Sequence, residues 1–465
     1  MTSAVSTTQL RTLFAERLSS LFGSEVPAYT DLVEASRQVN REVLSKGGDA
    51  AVRLGSIERV TAERHGAIRV GSPRELAQVA RVFAAIGMEP VGFYDLRDAF
   101  PQPVPVVSTA FRPIASDELA VNPFRVFTSM LVPEDRRFFD EDLQVRLTAS
   151  IEHRQLFPDE LLSLADDAGR HGELSGADAE RFLELSSKAF ALSPEPVDRA
   201  WYEELERVSG VAADIGGVTT THINHLTPRV LDIDELYRTM SDRGVAMIDE
   251  IQGPPRWEGP DVLLRQTSFR ALSEPRMFRE ADGSIGPGSL RVRFGEVESR
   301  GIALTPAGRD LYDTMVAEVD RSLAELAALT RQECAVDVWR RNLPDSERGL
   351  WRQGLGYFTY VAGDRSAVPR GQHRTLEMLV DAGALAIEPI VYEDFLPRSA
   401  AGIFESNLDD RGSFDGAHGG APRDVEWMAA AIDRQVWRPE ELYEAQSATS
   451  LDGALTSLGV DALSE

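Results

Sequence analysis

Two stretches of this chain, "HGAIRV" from His65 and "HLTPRV" from His225, carry the same His-x-x-x-Arg-Val phrase 160 residues apart. The echo continues downstream in the same order. After the first phrase, "SPRELAQVARVFAAIG" reads as a helix with Ser72 as N-cap, Pro73 at the first helical position and Gly87 as its stop. A helical run after the second phrase ends at Gly244, and the two glycines fall 22 and 19 residues beyond their histidines. Thr109-Ala110-Phe111-Arg112 then matches Thr267-Ser268-Phe269-Arg270, with Phe111 46 residues after His65 and Phe269 44 after His225. Last, Arg125-Val126 pairs with Arg291-Val292. The first copy offers strands in "EPVGFYDL", "VPVVSTAFRPI" and "NPFRVFTSMLVP", where β-branched and aromatic residues lie between Pro and Gly. Three matches in one order at nearly constant spacing predict a duplicated β-α-β-β-β unit.

At 465 residues the chain is longer than one ordinary core requires, and the remainder is arranged around the two copies. Residues 1–60 read as an N-terminal helical segment, because Leu10, Leu13, Phe14, Leu18 and Leu21 recur at the intervals of an amphipathic helix. The first unit spans 61–132, acidic helical patterns fill 133–211, and the second unit spans 212–304. Residues 305–465 open on one long helix, "TPAGRDLYDTMVAEVDRSLAELAALTRQE", capped by Thr305, and continue as a mixed segment. The last twenty residues, poor in large apolar groups, are expected to fray.

A net charge of -26 opposes binding to nucleic acid or an anionic membrane, whereas an anionic small molecule needs only a local cluster of Arg. The single cysteine, Cys334, excludes an internal disulfide framework and any Cys-rich metal site, and is read as a buried helix residue. The N-terminal stretch lacks the basic start and apolar block of a secretory signal, and no run of 18 apolar residues occurs, so a cytoplasmic protein is expected.

The copies differ where chemistry is concerned. The Arg-Val match sets Met130 opposite Glu296, so one copy brings His65 and the other brings His225 with Glu296. Two histidines and one carboxylate from separated strands are the facial triad of non-haem Fe(II) enzymes, which leaves open positions on the metal. His222 competes with His225, but i and i+3 on a strand point to opposite faces, and the repeat selects His225. Glu296 and Glu298 share a strand face, so either could ligate, and Glu298 could instead accept a hydrogen bond from a ligating imidazole. Arg69 shares the face of His65, roughly 13 Å along the strand, and suits a bidentate clamp on a substrate carboxylate. Arg229 is its counterpart, beside a Pro228 that suggests an edge or bulge. Gln266, opposite Ser108, is a further candidate polar contact, while His153, His171 and His373 read as surface residues.

Tandem β-α-β-β-β units with this His, His and Glu resemble the vicinal oxygen chelate fold. The resemblance implies an α+β chain whose two modules form an open β-barrel around a metal, with helical additions. More specifically, "ERHGAIRVGSPREL", "THINHLTPRVLDID", "FGEVESRGIALTPAGRDLY" and "EDFLPRSAAGIFESNL", spread over residues 63–408, resemble the 2-oxoadipate dioxygenase/decarboxylase family, also called 2-hydroxyglutarate synthases. That resemblance implies an Fe(II) enzyme of lysine breakdown that converts 2-oxoadipate and O2 to 2-hydroxyglutarate and CO2. It implies His65, His225 and Glu296 as metal ligands, with Glu296 singled out by the family's Phe-Gly-Glu phrase. It also implies Arg69, Arg398 and Ser399 as substrate contacts. One departure bears on the choice of substrate: the family loop reads Leu-Pro-Val-Ser, and here it is Leu396-Pro397-Arg398-Ser399. Two rival functions suit the same fold, a metal-dependent isomerase or lyase of the glyoxalase kind and a non-catalytic carboxylate-binding barrel.

Overall fold

A computed structural model describes residues 4–47, 57–99, 103–270, 273–290, 293, 295–325, 330–370, 373–396, 414 and 419–464. The chain is a mixed α+β structure built on a five-stranded sheet. In space the strands run Glu89–Asp95, Val106–Arg112, Arg125–Leu131, Arg64–Val70 and His225–Pro228. Arg64–Val70 lies parallel to Arg125–Leu131, and every other pairing in this sheet is antiparallel. The parallel pair needs a crossover, which begins with the helix Pro73–Ala84. Ser72 caps that helix by accepting from the Glu75 backbone N–H, and Gly87 supplies the left-handed turn behind it at φ 69°.

The strand His225–Pro228 joins the same sheet beside Arg64–Val70. His65 faces Thr227 and Ala67 faces His225, so the two histidines of the repeated phrase stand on neighbouring strands. Beyond Pro228 the pairing continues through Arg229, which bridges Glu298 in parallel. Gly295–Arg300 pairs antiparallel with Leu264–Phe269, and that strand is bridged by Met247 and Gln252. The described strands do not close into a barrel.

The ladders correct one expectation. With Phe111 and Phe269 matched, Phe127 lies opposite Ala110 and Glu296 opposite Ser268, so the position equivalent to Glu296 is Phe127 and not Met130. A hairpin, Glu274–Arg279 against Ile285–Leu290, lengthens the second connection and shifts the Arg-Val match out of register. Parity shows why the shift matters. Met130 packs with Ile68, Val70, Val107, Phe111 and Val126 on one face of the sheet, whereas Phe127 packs with Ala67 and Ala110 on the other.

The first of these faces rests on a core shared by the helices Thr7–Glu25, Ala28–Gly47, Pro73–Ala84, Asp159–His171, Gly176–Ala189 and Val425–Ile432. The opposite face is covered by Glu141–His153, Arg199–Glu206 and Gly210–Gly216, so both faces are buried. Two C-terminal expectations change. The long helix from Thr305 is two helices, Pro306–Glu325 and Arg331–Asn342, because Thr330 and Glu333 form a reciprocal capping box that starts the second. The tail does not fray: Pro439–Leu458 is helical and buries Tyr443, Ala454 and Leu458. Cys334 is buried on Arg331–Asn342, and no helix of the described residues is long and apolar enough to cross a membrane.

Candidate metal centre

His65, His225 and Glu296 converge. Each is buried, and one donor atom from each lies within 4.8 Å of the others. His65 Nε2 is 3.7 Å from Glu296 Oε1, His225 Nδ1 is 3.5 Å from Glu296 Oε2, and the two rings meet edge-on with centroids 5.1 Å apart. The strands dictate this placement. His65 and His225 share a face two ladder positions apart, and the parallel bridge at Arg229 brings the Glu296 strand alongside. Gly295 is required next to Glu296, since a Cβ there would lie 1.8 Å from the Phe269 ring.

The electrostatics favour a cation at this point. Burial, followed by the nearby charge of Glu298, pushes the Glu296 carboxyl well above its ordinary pKa, with Arg300 opposing. Burial, then His65 and Arg69, hold the His225 pKa well below its usual value. His65 is also lowered, by burial against the pull of Glu298. Two neutral imidazoles offering lone pairs beside an acid that lacks a compensating charge make a donor set that suits a divalent metal ion.

Glu298 occupies a different role from its neighbour. Its Oε2 lies 2.8 Å from His65 Nδ1. Burial opposes its charge, but Arg300, His65 and Arg125 outweigh it and hold the carboxyl well below the usual range. An ionised carboxylate can only accept, so Nδ1 donates and the His65 lone pair is left on Nε2, towards Glu296. Arg300 grips Glu298 at 2.7 and 2.9 Å, and Arg125 reaches it at 3.2 Å. Glu63 joins Arg125 and Arg229 at 2.9 Å each, and Glu393 adds Arg125 and Arg59 to the same buried ion cluster.

The other residues singled out from the sequence are placed as follows. Arg69 pairs with the buried Asp214, which also accepts from Asn224 Nδ2 at 2.8 Å and lies 3.1 Å from His222 Nε2. His222 is thus buried beside the cluster, on Asp214 rather than among the three donors. Arg229 belongs to the Glu63 cluster, and Gln266 is buried directly across the ladder from Glu298. His153, His171 and His373 are exposed. Arg398 and Ser399 lie outside the described residues. Sequence reasoning missed Asp214, Glu63, Arg125, Arg300 and Phe395. For Glu63 and Arg300 a signal was present, since they flank His65 and Glu298 at two-residue spacing.

A mixed α+β chain that buries two imidazoles and one acid around a common point has the makings of a metal-dependent enzyme. The family model for 2-oxoadipate dioxygenase/decarboxylase matches residues 14–407. A 2-oxoadipate dioxygenase/decarboxylase from Mycobacterium bovis is 54% identical over 439 residues, covering 94% of this chain and 96% of the relative. One from Pseudomonas putida is 40% identical over 470 residues and covers 99% of each chain. The crystal structure of the Pseudomonas putida hydroxyglutarate synthase in complex with 2-oxoadipate matches with a TM-score of 0.83 and 36% identity, over 99% of this chain and 100% of that one. The chain belongs to the 2-oxoadipate dioxygenase/decarboxylase family of enzymes.

Proposed function

We propose that this protein converts 2-oxoadipate and O2 to 2-hydroxyglutarate and CO2, using one Fe(II) held by His65, His225 and Glu296. The observation that carries the proposal is the buried convergence of these three donors in a member of this family. The reaction balances with no second reductant, because both atoms of O2 are recovered in the two products. Fe(II), when bound, supplies the activation of O2.

The chain's own residues have separate tasks in this reading. Glu298 fixes the His65 tautomer, and Arg300 and Arg125 keep Glu298 charged. Arg69, oriented by Asp214, offers planar guanidinium N–H donors to a substrate carboxylate. Gln266, Arg398 and Ser399 complete the substrate contacts. The helices 141–153, 199–206 and 210–216 exclude water from the site face. The proposal extends to architecture. Residues 61–132 and 212–304 are two modules of one kind, supported by the same sequence of parallel, antiparallel and antiparallel pairings in each. Residues 1–60, 133–211 and 305–465 are additions to that pair.

The test is turnover. Purified protein rebuilt with Fe(II) is expected to consume O2 and release CO2 in equal amounts from 2-oxoadipate, with 2-hydroxyglutarate as the other product. Product formation under nitrogen at the aerobic rate would contradict the dioxygenase reading.

A further inference from the structure

One wall of the metal cluster is aromatic. Phe395 stands edge-on to His65 with ring centroids 4.9 Å apart. It tilts against Phe127 at 5.1 Å, and Phe127 meets Tyr94 at 5.3 Å. Phe395 and Tyr94 also line a cavity of about 930 Å³, with Tyr392, Tyr443 and Arg309 among its other walls. A single ring therefore touches a candidate metal ligand and borders this cavity.

The ring is held in place from several sides. The Tyr392 hydroxyl donates to the Phe395 carbonyl at 2.8 Å. Arg300 donates to the carbonyls of Tyr392 and Asp394 at 2.8 and 3.0 Å, and its guanidinium carbon lies 5.8 Å from the Phe395 ring centroid. Arg300 is also the residue that grips Glu298, the hydrogen-bond partner of His65. The position of the ring is thus tied to the three donors by a buried, hydrogen-bonded path. A side chain held in this way can discriminate, because it cannot move aside at little cost.

We propose that Phe395 is a further specificity-determining residue of the site: its ring, backed by Phe127, is the surface on which the carbon chain of the 2-oxo acid lies, and the cavity behind it is the route of approach. This rests on the 2-oxo acid reading given above. With its carboxylate and keto group held at the three donors, a 2-oxo acid would present its remaining methylenes to the side chains that border the site, and Phe395 against His65 is one of these. A flat apolar ring accepts an unbranched chain and clashes with a branch at C3. One misplaced carbon in an apolar pocket changes selectivity by about 10–200-fold.

Two readouts on the Fe(II)-loaded full chain test the role. Anaerobic calorimetry compares the Kd of 2-oxoadipate with that of its 3-methyl derivative, and O2 uptake compares their kcat/KM. Wild type is expected to favour the unbranched acid by at least about tenfold, and Phe395→Ala to reduce that preference to about twofold or less. Phe395→Leu, which keeps an apolar side chain against Phe127, gives an intermediate ratio and serves if the alanine variant does not fold. An unchanged ratio in folded, metal-loaded variants overturns the role of Phe395 alone. Failure of wild type to bind either acid overturns the 2-oxo acid reading, and this inference with it.

Discussion

On one face of the five-stranded sheet, Ile68, Val70, Val107, Phe111, Val126 and Met130 pack against the main helical core. On the other, the alternate residues of the same strands include His65, Arg69, Arg125, Ser129 and His225, and these are just as deeply buried. Backbone geometry is common to both faces, so the difference lies in what burial costs each side chain. Apolar residues gain by leaving water, whereas charged and titratable residues lose unless they find partners. The first face needs only good packing. The second is stable because each charge is answered, Arg69 by Asp214, Glu298 by Arg300 and Arg125, and Glu63 by Arg125 and Arg229. Glu296 is the exception, and a bound cation would answer it.

The comparison can be broken most severely at that exception. Glu296→Gln is expected to abolish metal binding and lower turnover by more than the about 10–100-fold that loss of an outer partner costs. Its thermal midpoint should hold or rise in the metal-free protein, because a buried acid disfavoured in its charged form becomes a neutral amide of the same shape. Activity assays and calorimetric scans check both halves.

The opposite result is expected across the sheet. Phe111→Ala should cost about 3–5 kcal/mol of stability, read by denaturant unfolding, and leave metal content per folded molecule unchanged.

Acid sharpens the contrast. Burial opposes the charge of Glu63, but Arg229, Arg125 and Arg59 hold its pKa down at about 2, against 4.5 ordinarily. Its contribution is therefore complete above the ordinary value and is lost as pH falls towards 2, an effect on the order of 3 kcal/mol. Asp214, held low by His222 and Arg69 against burial, adds in the same direction. Unfolding midpoints measured from pH 7 to pH 3 should fall in wild type.

The smallest effect concerns the outer partner. Glu298→Gln leaves a side chain that can still accept from His65, and should weaken metal affinity by about 10–100-fold without abolishing it. Metal titration separates this from the loss expected at Glu296.

The repeated phrase made much of this legible. The phrases at His65 and His225 mark real neighbouring strands, and Ser72, Pro73 and Gly87 bound a real helix. The register of Glu296 was not legible, because a hairpin between Glu274 and Leu290 breaks the even spacing on which the Arg-Val match relied. Asp214 was hidden for another reason. It lies on the helix Gly210–Gly216, 145 residues from Arg69, and a pairing over that distance leaves no periodic trace. The break at Thr330 could have been read from its capping box, Thr-x-x-Glu, had helical periodicity not run through it.

The most direct measurement is an anomalous difference map, at the iron edge, from crystals of the Fe(II)-loaded protein. A single peak bonded to His65, His225 and Glu296, with Glu298 on His65 and outside the metal's ligand sphere, is the predicted result. A peak elsewhere, or one bonded to Glu298 or His222 in place of Glu296 or His225, would contradict it.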